Sequence, residues 1–310
     1  MIKFEDLVIG NAAGMVKSLD DVKRFCRSSA TRITVGSITK HERVGNIAVS
    51  PGGVYYYDPA TRRSGNSLGL PNMGMSKYGH VLPQMVELAH KAGKQLWVSI
   101  VGETIEEVVE LVLFALSHGA DGVEINLACP NVHDRGKQKK LMCDDSETVH
   151  KILQQVSKLR TKGHGIGVKI APTRDESTLD DLALAVNTSD IVTEVVATNT
   201  RGGQRFLKDG VDMIAFKPPG SDTVVNTGGE AGAPLHEDAV WVASTMRHYL
   251  HDRIEINGVG GIFTGGEAYD FIKEGCTRIQ CATAIMEHKP GEAVLYNIAE
   301  ELHEHMPIAA

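Results

Sequence analysis

Short β-branched runs alternate eight times with amphipathic helical patterns along this chain, and that alternation limits what it can fold into. Strands are predicted near 8–11, 32–35, 96–101, 123–126, 167–170, 191–196, 254–257 and 278–281, and helices near 19–28, 79–92, 105–118, 146–161, 178–187, 235–249, 266–274 and 291–304. The third helix shows the pattern. Thr104 and Glu107 form a capping-box pair, Val108, Leu111, Val112 and Ala115 recur at helical spacing, and Gly119 follows the last turn. Eight strand–helix units predict an α/β protein, a (β/α)8 TIM barrel spanning residues 1–310 as a single domain. A doubly wound open sheet is the alternative. With 310 residues and 42% apolar content, the chain can bury the core that either needs.

Two connections exceed what a plain barrel requires, 36–78 after the second strand and 198–234 after the sixth. Both are rich in Gly and Asn, and loops of that length usually carry function, so they are expected to cover a substrate.

The formal net charge of −7 and the lack of a long basic run give no footprint for nucleic acid. No apolar stretch reaches the length of a membrane span, and residues 1–6 read as neither a signal nor a transit peptide. Five cysteines (Cys26, Cys129, Cys143, Cys276, Cys281) are odd in number and contain no CxxC pair, which suggests neither a disulfide framework nor a metal site. A reduced, cytoplasmic setting is expected.

Barrel enzymes keep their chemistry at the carboxyl ends of the strands, and several candidate segments fall there. Asn126-Leu127-Ala128-Cys129-Pro130-Asn131 follows the fourth strand; it offers one ionisable thiol among carboxamides that suit a flat polar ligand, although a small buried cysteine in a turn would look the same. Ser64 to Gly74, in the first long connection, supplies Asn66 and Asn72 as ligand amides, or else forms a generic turn. Lys169 ends the fifth strand and points either to solvent or into the mouth, where it would sit beside an electron-rich ring. Asn199 and Thr200 follow the sixth. Gly258, Gly260 and Gly261 after the seventh strand, with Ala282 and Thr283 after the eighth, occupy the place where barrels bind phosphate; Gly228, Gly229 and Gly232 would add backbone donors.

With Asn-Leu-Ala-Cys-Pro-Asn, Asn-Ser-Leu-Gly-Leu-Pro-Asn, Gly-Val-Lys and Gly-Val-Gly-Gly in that order, the chain resembles the dihydroorotate dehydrogenases, most of all class 1A. The likeness extends from Asn11 to Thr283. It implies FMN at the mouth of the barrel, oxidation of (S)-dihydroorotate to orotate in pyrimidine biosynthesis, fumarate as oxidant, and a homodimer. Carried over by position, Cys129 would take the C5 proton while a hydride leaves C6 for the flavin. Asn66, Asn126, Asn131, Asn199 and Thr200 would hold the substrate, with the Leu68-Gly69-Leu70 backbone closing over it. Lys169, Asn126 and Thr200 would lie beside the flavin ring. Ala13, Gly14, Gly232, Gly260, Gly261, Ala282 and Thr283 match other flavin-contact positions.

The sequence departs from that pattern at three places. Gly36 stands where the family has a lysine touching flavin and substrate, Ala282 where it has glycine, and Glu230-Ala231 interrupts the second glycine cluster. A glycine at 36 is expected to enlarge and neutralise the substrate site. That leaves room for an alternative, a related flavoprotein acting on another cyclic compound; a non-catalytic flavin- or phosphate-binding sensor is a further one. If the lysine is simply lost, Gly36→Lys should raise activity; if the pocket is rebuilt for another ring, activity on dihydroorotate should stay negligible. Ordinary wild-type turnover would instead point to Lys40 or Arg43 of the same loop as the replacement.

Overall fold

The computed structural model describes residues 3–129, 133–134, 137–138, 141–159 and 163–306. Eight parallel strands close into a barrel: β1 (Val8–Asn11), β2 (Arg32–Ile38), β3 (Gln95–Ile100), β4 (Gly122–Asn126), β5 (Gly165–Ile170), β6 (Glu194–Ala197), β7 (Glu255–Val259) and β8 (Arg278–Cys281). Each strand pairs with its neighbours in sequence, and β8 returns to β1 with Val8 opposite Arg278. The open sheet is therefore excluded.

Helices wrap the outside: α1 (Leu19–Phe25), α2 (Gly74–Lys91), α3 (Ile105–Ser117), α4 (Ser146–Val156), α5 (Glu176–Asn187), α6 (His236–Tyr249), α7 (Gly265–Lys273), the short α8 (Thr283–Glu287) and α9 (Val294–His305). Their apolar stripes meet the outward faces of the strands, so Leu96, Val98 and Ile100 of β3 share one buried cluster with Leu111 and Val112 of α3. Thr104 caps α3 by accepting the Glu107 N–H. α2 starts five residues before its predicted limit because Asn72 accepts the Gly74 N–H at 2.9 Å and fixes the first turn. α4 ends at Val156, short of its predicted limit.

The two long connections are not loose covers. Tyr55–Asp58, Arg63–Asn66, Thr227–Gly232 and Arg201–Arg205 join in a four-stranded antiparallel sheet, with Asn66 opposite Gly229. Two further short pairings, 47–48 with 216–217 and 207–208 with 211–212, form separate two-stranded sheets in the same connections. Phe206, Ile214 and Phe216 form a small core of their own, with Phe206 against Gly65 on the face of this sheet opposite Ser64 and Asn66. The sheet stands over the carboxyl ends of the barrel strands, so every mouth residue is held between two layers.

Inside the barrel the inward positions are polar to an unusual degree. Arg32 of β2 donates to both carboxylate oxygens of Glu194 on β6, at 2.9 and 2.8 Å, and its guanidinium lies 3.8 Å from the Trp97 ring. One level up, Lys169 faces Glu124 at 3.6 Å, and Gln280 donates to the same carboxylate at 3.3 Å. Ala12, Val196, Val259 and Ala282 close the top layer.

Candidate active site

The site is built from strand ends. On β5 the two-residue period sends Val168 and Ile170 outward into the helical layer and Lys169 inward. That decides between the two orientations open to this lysine. Asn126, the last residue of β4, spans the mouth: its Oδ1 accepts from Asn199 Nδ2 at 3.0 Å and from the Ala128 N–H at 3.2 Å. Asn199 in turn accepts the Thr200 N–H at 2.8 Å, while its own N–H donates to the Ile170 carbonyl. The three strand ends are thus joined into one amide chain, which orients the carboxamides before any ligand arrives.

A cavity lies between this chain and the antiparallel sheet above. Cys129, Asn126, Asn199, Thr200 and Lys169 line it from the barrel, Asn66, Leu68 and Leu70 from the first long connection, and Ala13 and Gly14 from the β1 loop. Ala282 and Thr283 line its far end, where it meets a second compartment bounded by Gly232, Gly260 and Gly261. The structure therefore brings together the predicted site residues it describes, with Gly69 carrying the turn between Leu68 and Leu70. Pro130 and Asn131 lie outside the described residues. Cys281 also lines the second compartment, but burial pushes its thiol up to about 12 and Cys143 likewise to about 12, which leaves both protonated.

Asn72 does not serve the cavity as an amide. Its Nδ2 donates to Leu70 O at 2.8 Å and Thr39 Oγ1 at 2.9 Å, and its Oδ1 accepts from the Thr39 and Gly74 N–H groups. It holds the loop that presents Leu68 and Leu70, the latter at φ 58°, a conformation a leucine keeps only when its surroundings impose it.

Gly36 has no spare room around it. It lies at φ 115°, and a Cβ there would overlap the Ser99 carbonyl oxygen and come within 2.8 Å of the Ile38 nitrogen. The expectation of an enlarged pocket is corrected: β3 approaches β2 closely at this point. Lys40 and Arg43 do not take the lysine's place either. Lys40 pairs with Glu110 at 2.8 Å and Arg43 with Glu103 at 3.1 Å, both on a separate outer cavity that reaches Cys129 from the other side.

Several mouth residues escaped sequence reasoning. Ser37, which receives Asn126 Nδ2 at 3.4 Å, and Lys17 carry no motif of their own, and Ser64, bonded to Thr283 Oγ1 at 2.9 Å, stands at the edge of the 64–74 segment with no role assigned to it there.

A family model for dihydroorotate dehydrogenase matches residues 2–306. The chain belongs to the dihydroorotate dehydrogenase family. It is 30% identical over 299 residues to dihydroorotate dehydrogenase A (fumarate) of Lactococcus lactis subsp. lactis, covering 96% of this chain and 89% of the relative. It is also 30% identical over 300 residues to dihydroorotate dehydrogenase (fumarate) of Trypanosoma cruzi, with 96% and 88% covered. Among solved structures, the dihydroorotate dehydrogenase of Eimeria tenella in complex with ferulenol matches with a TM-score of 0.77 at 22% identity, over 95% of this chain and 80% of that one. At that identity the match bears on the fold, and it agrees with the closed barrel. Dihydroorotate dehydrogenases are flavoproteins, and the compartments above supply what a flavin needs. Thr200 Oγ1 is buried without a hydrogen-bond partner. Gly232, at φ 85°, packs directly against the Arg62 carbonyl, which a Cβ would overlap, so glycine is what lets the chain turn at the edge of the second compartment. Among the described residues no helix is long and apolar enough to cross a membrane.

Proposed function

We propose that this protein is an FMN-dependent dihydroorotate dehydrogenase of class 1A that oxidises (S)-dihydroorotate to orotate in de novo pyrimidine biosynthesis, with fumarate as oxidant. The observation that carries the reading is the placement of Cys129 in one cavity with Asn66, Asn126 and Asn199, with Lys169 beneath them. The names of the Lactococcus and Trypanosoma relatives support the substrate and the oxidant.

FMN would lie along both compartments, its ring near Asn126, Lys169 and Thr200 and its phosphate near Gly260, Gly261, Ala282 and Thr283, with Ala13, Gly14 and Gly232 along its length. When bound, it supplies the acceptor for the hydride that leaves C6 of dihydroorotate. The chain's own part is proton transfer and alignment. Cys129 accepts the C5 proton as general base, and the carbon–carbon double bond forms as the C–H bonds at C5 and C6 are lost. Asn66, Asn126, Asn131, Asn199 and Thr200 bind the ring amides and the carboxylate, and the backbone of Leu68, Gly69 and Leu70 closes over them. Lys169 holds a positive charge at the base of the site, partly balanced by Glu124 at 3.6 Å.

The domain is read as one FMN-binding unit in a cytoplasmic homodimer. Cys26, Cys143, Cys276 and Cys281 are thiols, in keeping with a reducing compartment. Val44, Ile47, Leu207, Val211 and Val224 are exposed, and all five belong to the two long connections, where a second copy would cover them. Light scattering should then read twice the chain mass of 33.5 kDa. For the activity, purified protein should be yellow with about one FMN per chain, and dihydroorotate should bleach it under anaerobic conditions. A folded protein that takes up no FMN, or a flavin that dihydroorotate leaves oxidised, would remove the reading.

A further inference from the structure

The main cavity has a charge pattern that the proposed mechanism leaves unused. Among the described residues that line it, Lys17 and Lys169 are the cations and none is a carboxylate. Lys169 faces Glu124, whereas Lys17 forms no ion pair among the described residues. Its Nζ donates to the Pro71 carbonyl at 2.9 Å, at the end of the loop that carries Leu68 and Leu70. Burial holds its ammonium below the ordinary lysine value, against a partial offset from Asp21. Such a group is a cation partly withdrawn from water whose nearest carboxylate, Asp21, acts on it without a direct ion pair.

Its position bears on the missing lysine at 36. The Gly36 N–H donates to the Val16 carbonyl at 3.0 Å, and the Gly14 N–H donates to the Gly36 carbonyl at 2.6 Å. Lys17 therefore follows directly on the residue that pairs with Gly36. The backbone is anchored on both sides: Tyr78 Oη donates to the Lys17 carbonyl at 3.0 Å, and the Lys17 N–H donates to Asp21 Oδ2 at 3.0 Å. β2 has no space for a side chain at 36, and the adjoining connection between β1 and α1 brings a lysine to the same cavity.

We propose that Lys17 binds the carboxylate of the substrate in place of a lysine at position 36, and that its bond to the Pro71 carbonyl couples that anion to the loop 66–74. This rests on the dihydroorotate reading and assigns its anion site. Lys17 is thereby a specificity-determining residue: a ring without an acidic substituent leaves the ammonium unpaired and binds less well.

The test compares two ligands, orotate and uracil, which share the pyrimidine ring but not the carboxylate, by calorimetry on the FMN-loaded protein. In Lys17→Met the affinity for orotate should fall by about one to two decades, the range for losing a charge-assisted hydrogen bond, while uracil should change by no more than about twofold. Lys17→Arg should keep most of the preference for orotate. Should Lys17→Met not fold, Lys17→Gln retains a donor for Pro71 without the charge and carries the same expectation. Unchanged orotate affinity, or equal losses for both ligands, would overturn the assignment while wild-type protein is still bleached by dihydroorotate. If the wild-type flavin is neither bleached by dihydroorotate nor able to bind orotate, the dihydroorotate reading itself fails and the assignment with it.

Discussion

Gly36 lies on β2 with its Cβ direction aimed at the β3 backbone, so the overlap with Ser99 decides what a substitution can do. An l-residue at φ 115° is strained whatever its side chain, and here the first carbon already meets backbone on β3. Gly36→Lys is therefore expected to lower stability by at least about 1–3 kcal/mol, and not to raise turnover. Gly36→Ala should show most of the same loss of thermal midpoint, because the Cβ is the cause; a gain in flavin reduction at unchanged midpoint would refute this. At Cys129 the expectation concerns chemistry, since a general base contributes about 10²–10⁴ to rate. Cys129→Ser should slow flavin reduction by that order at neutral pH and recover partly as pH rises, with FMN still bound. Undiminished reduction in Cys129→Ala, followed by stopped-flow absorbance, would sink the base assignment. Residues of this kind differ in how far a sequence reveals them. Cys129 stands in a distinctive hexapeptide, but Asn66 and Asn72, six positions apart in one loop, look alike until the hydrogen bonds show that Asn72 is consumed within the loop. Lys17 has no motif at all, and its meaning comes from Gly36 and Pro71, which reach it only through the fold.

Among elements, α1 links local helix chemistry to the mouth. Ser18 caps it by accepting the Asp21 N–H, and Asp21 Oδ2 returns to the N–H groups of Ser18 and Lys17 at 2.9 and 3.0 Å. Burial alone would raise the Asp21 carboxyl, but the hydrogen bonds from Lys17, Ser18 and Arg24 outweigh it and hold the group below its ordinary 3.8. The sign follows: the depressed value contributes stability above the unfolded pKa, and that contribution is lost as pH falls through the folded one. In acid titrations below about pH 4, wild-type protein should lose stability faster than Asp21→Asn, and at neutral pH the variant should be less stable by about 0.5–2 kcal/mol. Parallel denaturation curves across that window would contradict it. The barrel strands and helices were legible because burial imposes periods of two and 3.6 on apolar residues. The antiparallel sheet was not, since Arg63–Asn66 and Thr227–Gly232 contain four glycines, Gly65, Gly228, Gly229 and Gly232, and little β-propensity. Their pairing joins segments 163 positions apart at Asn66 and Gly229, and no local window contains that information.

Across the whole molecule, the lower interior of the barrel is tied together by charge where aliphatic layers are the usual filling. Glu194 of β6 accepts two bonds from Arg32 of β2, lies 3.1 Å from the Arg278 guanidinium of β8, and receives Asn257 Nδ2 of β7 at 3.4 Å. Four of the eight strands thus meet on one carboxylate that is 1% exposed. The sequence pattern shows the closure but not this tie, because Arg32 and Arg278 begin strands, where charged residues ordinarily mark a solvated end, and no local window brings them to Glu194. Burying these ions costs desolvation free energy that their contacts only partly offset, whereas removing one partner leaves the others uncompensated. Glu194→Leu should accordingly destabilise the fold by about 3–5 kcal/mol, because two guanidiniums stay behind in the interior. Adding Arg32→Met to that variant should recover part of the loss, since one stranded cation goes with it and a flexible apolar chain remains against Trp97. Urea denaturation of the FMN-loaded proteins reads both changes. A double variant whose loss equals the sum of the two single losses would show that Arg32 acts independently of Glu194, chiefly by stacking on Trp97 at 3.8 Å.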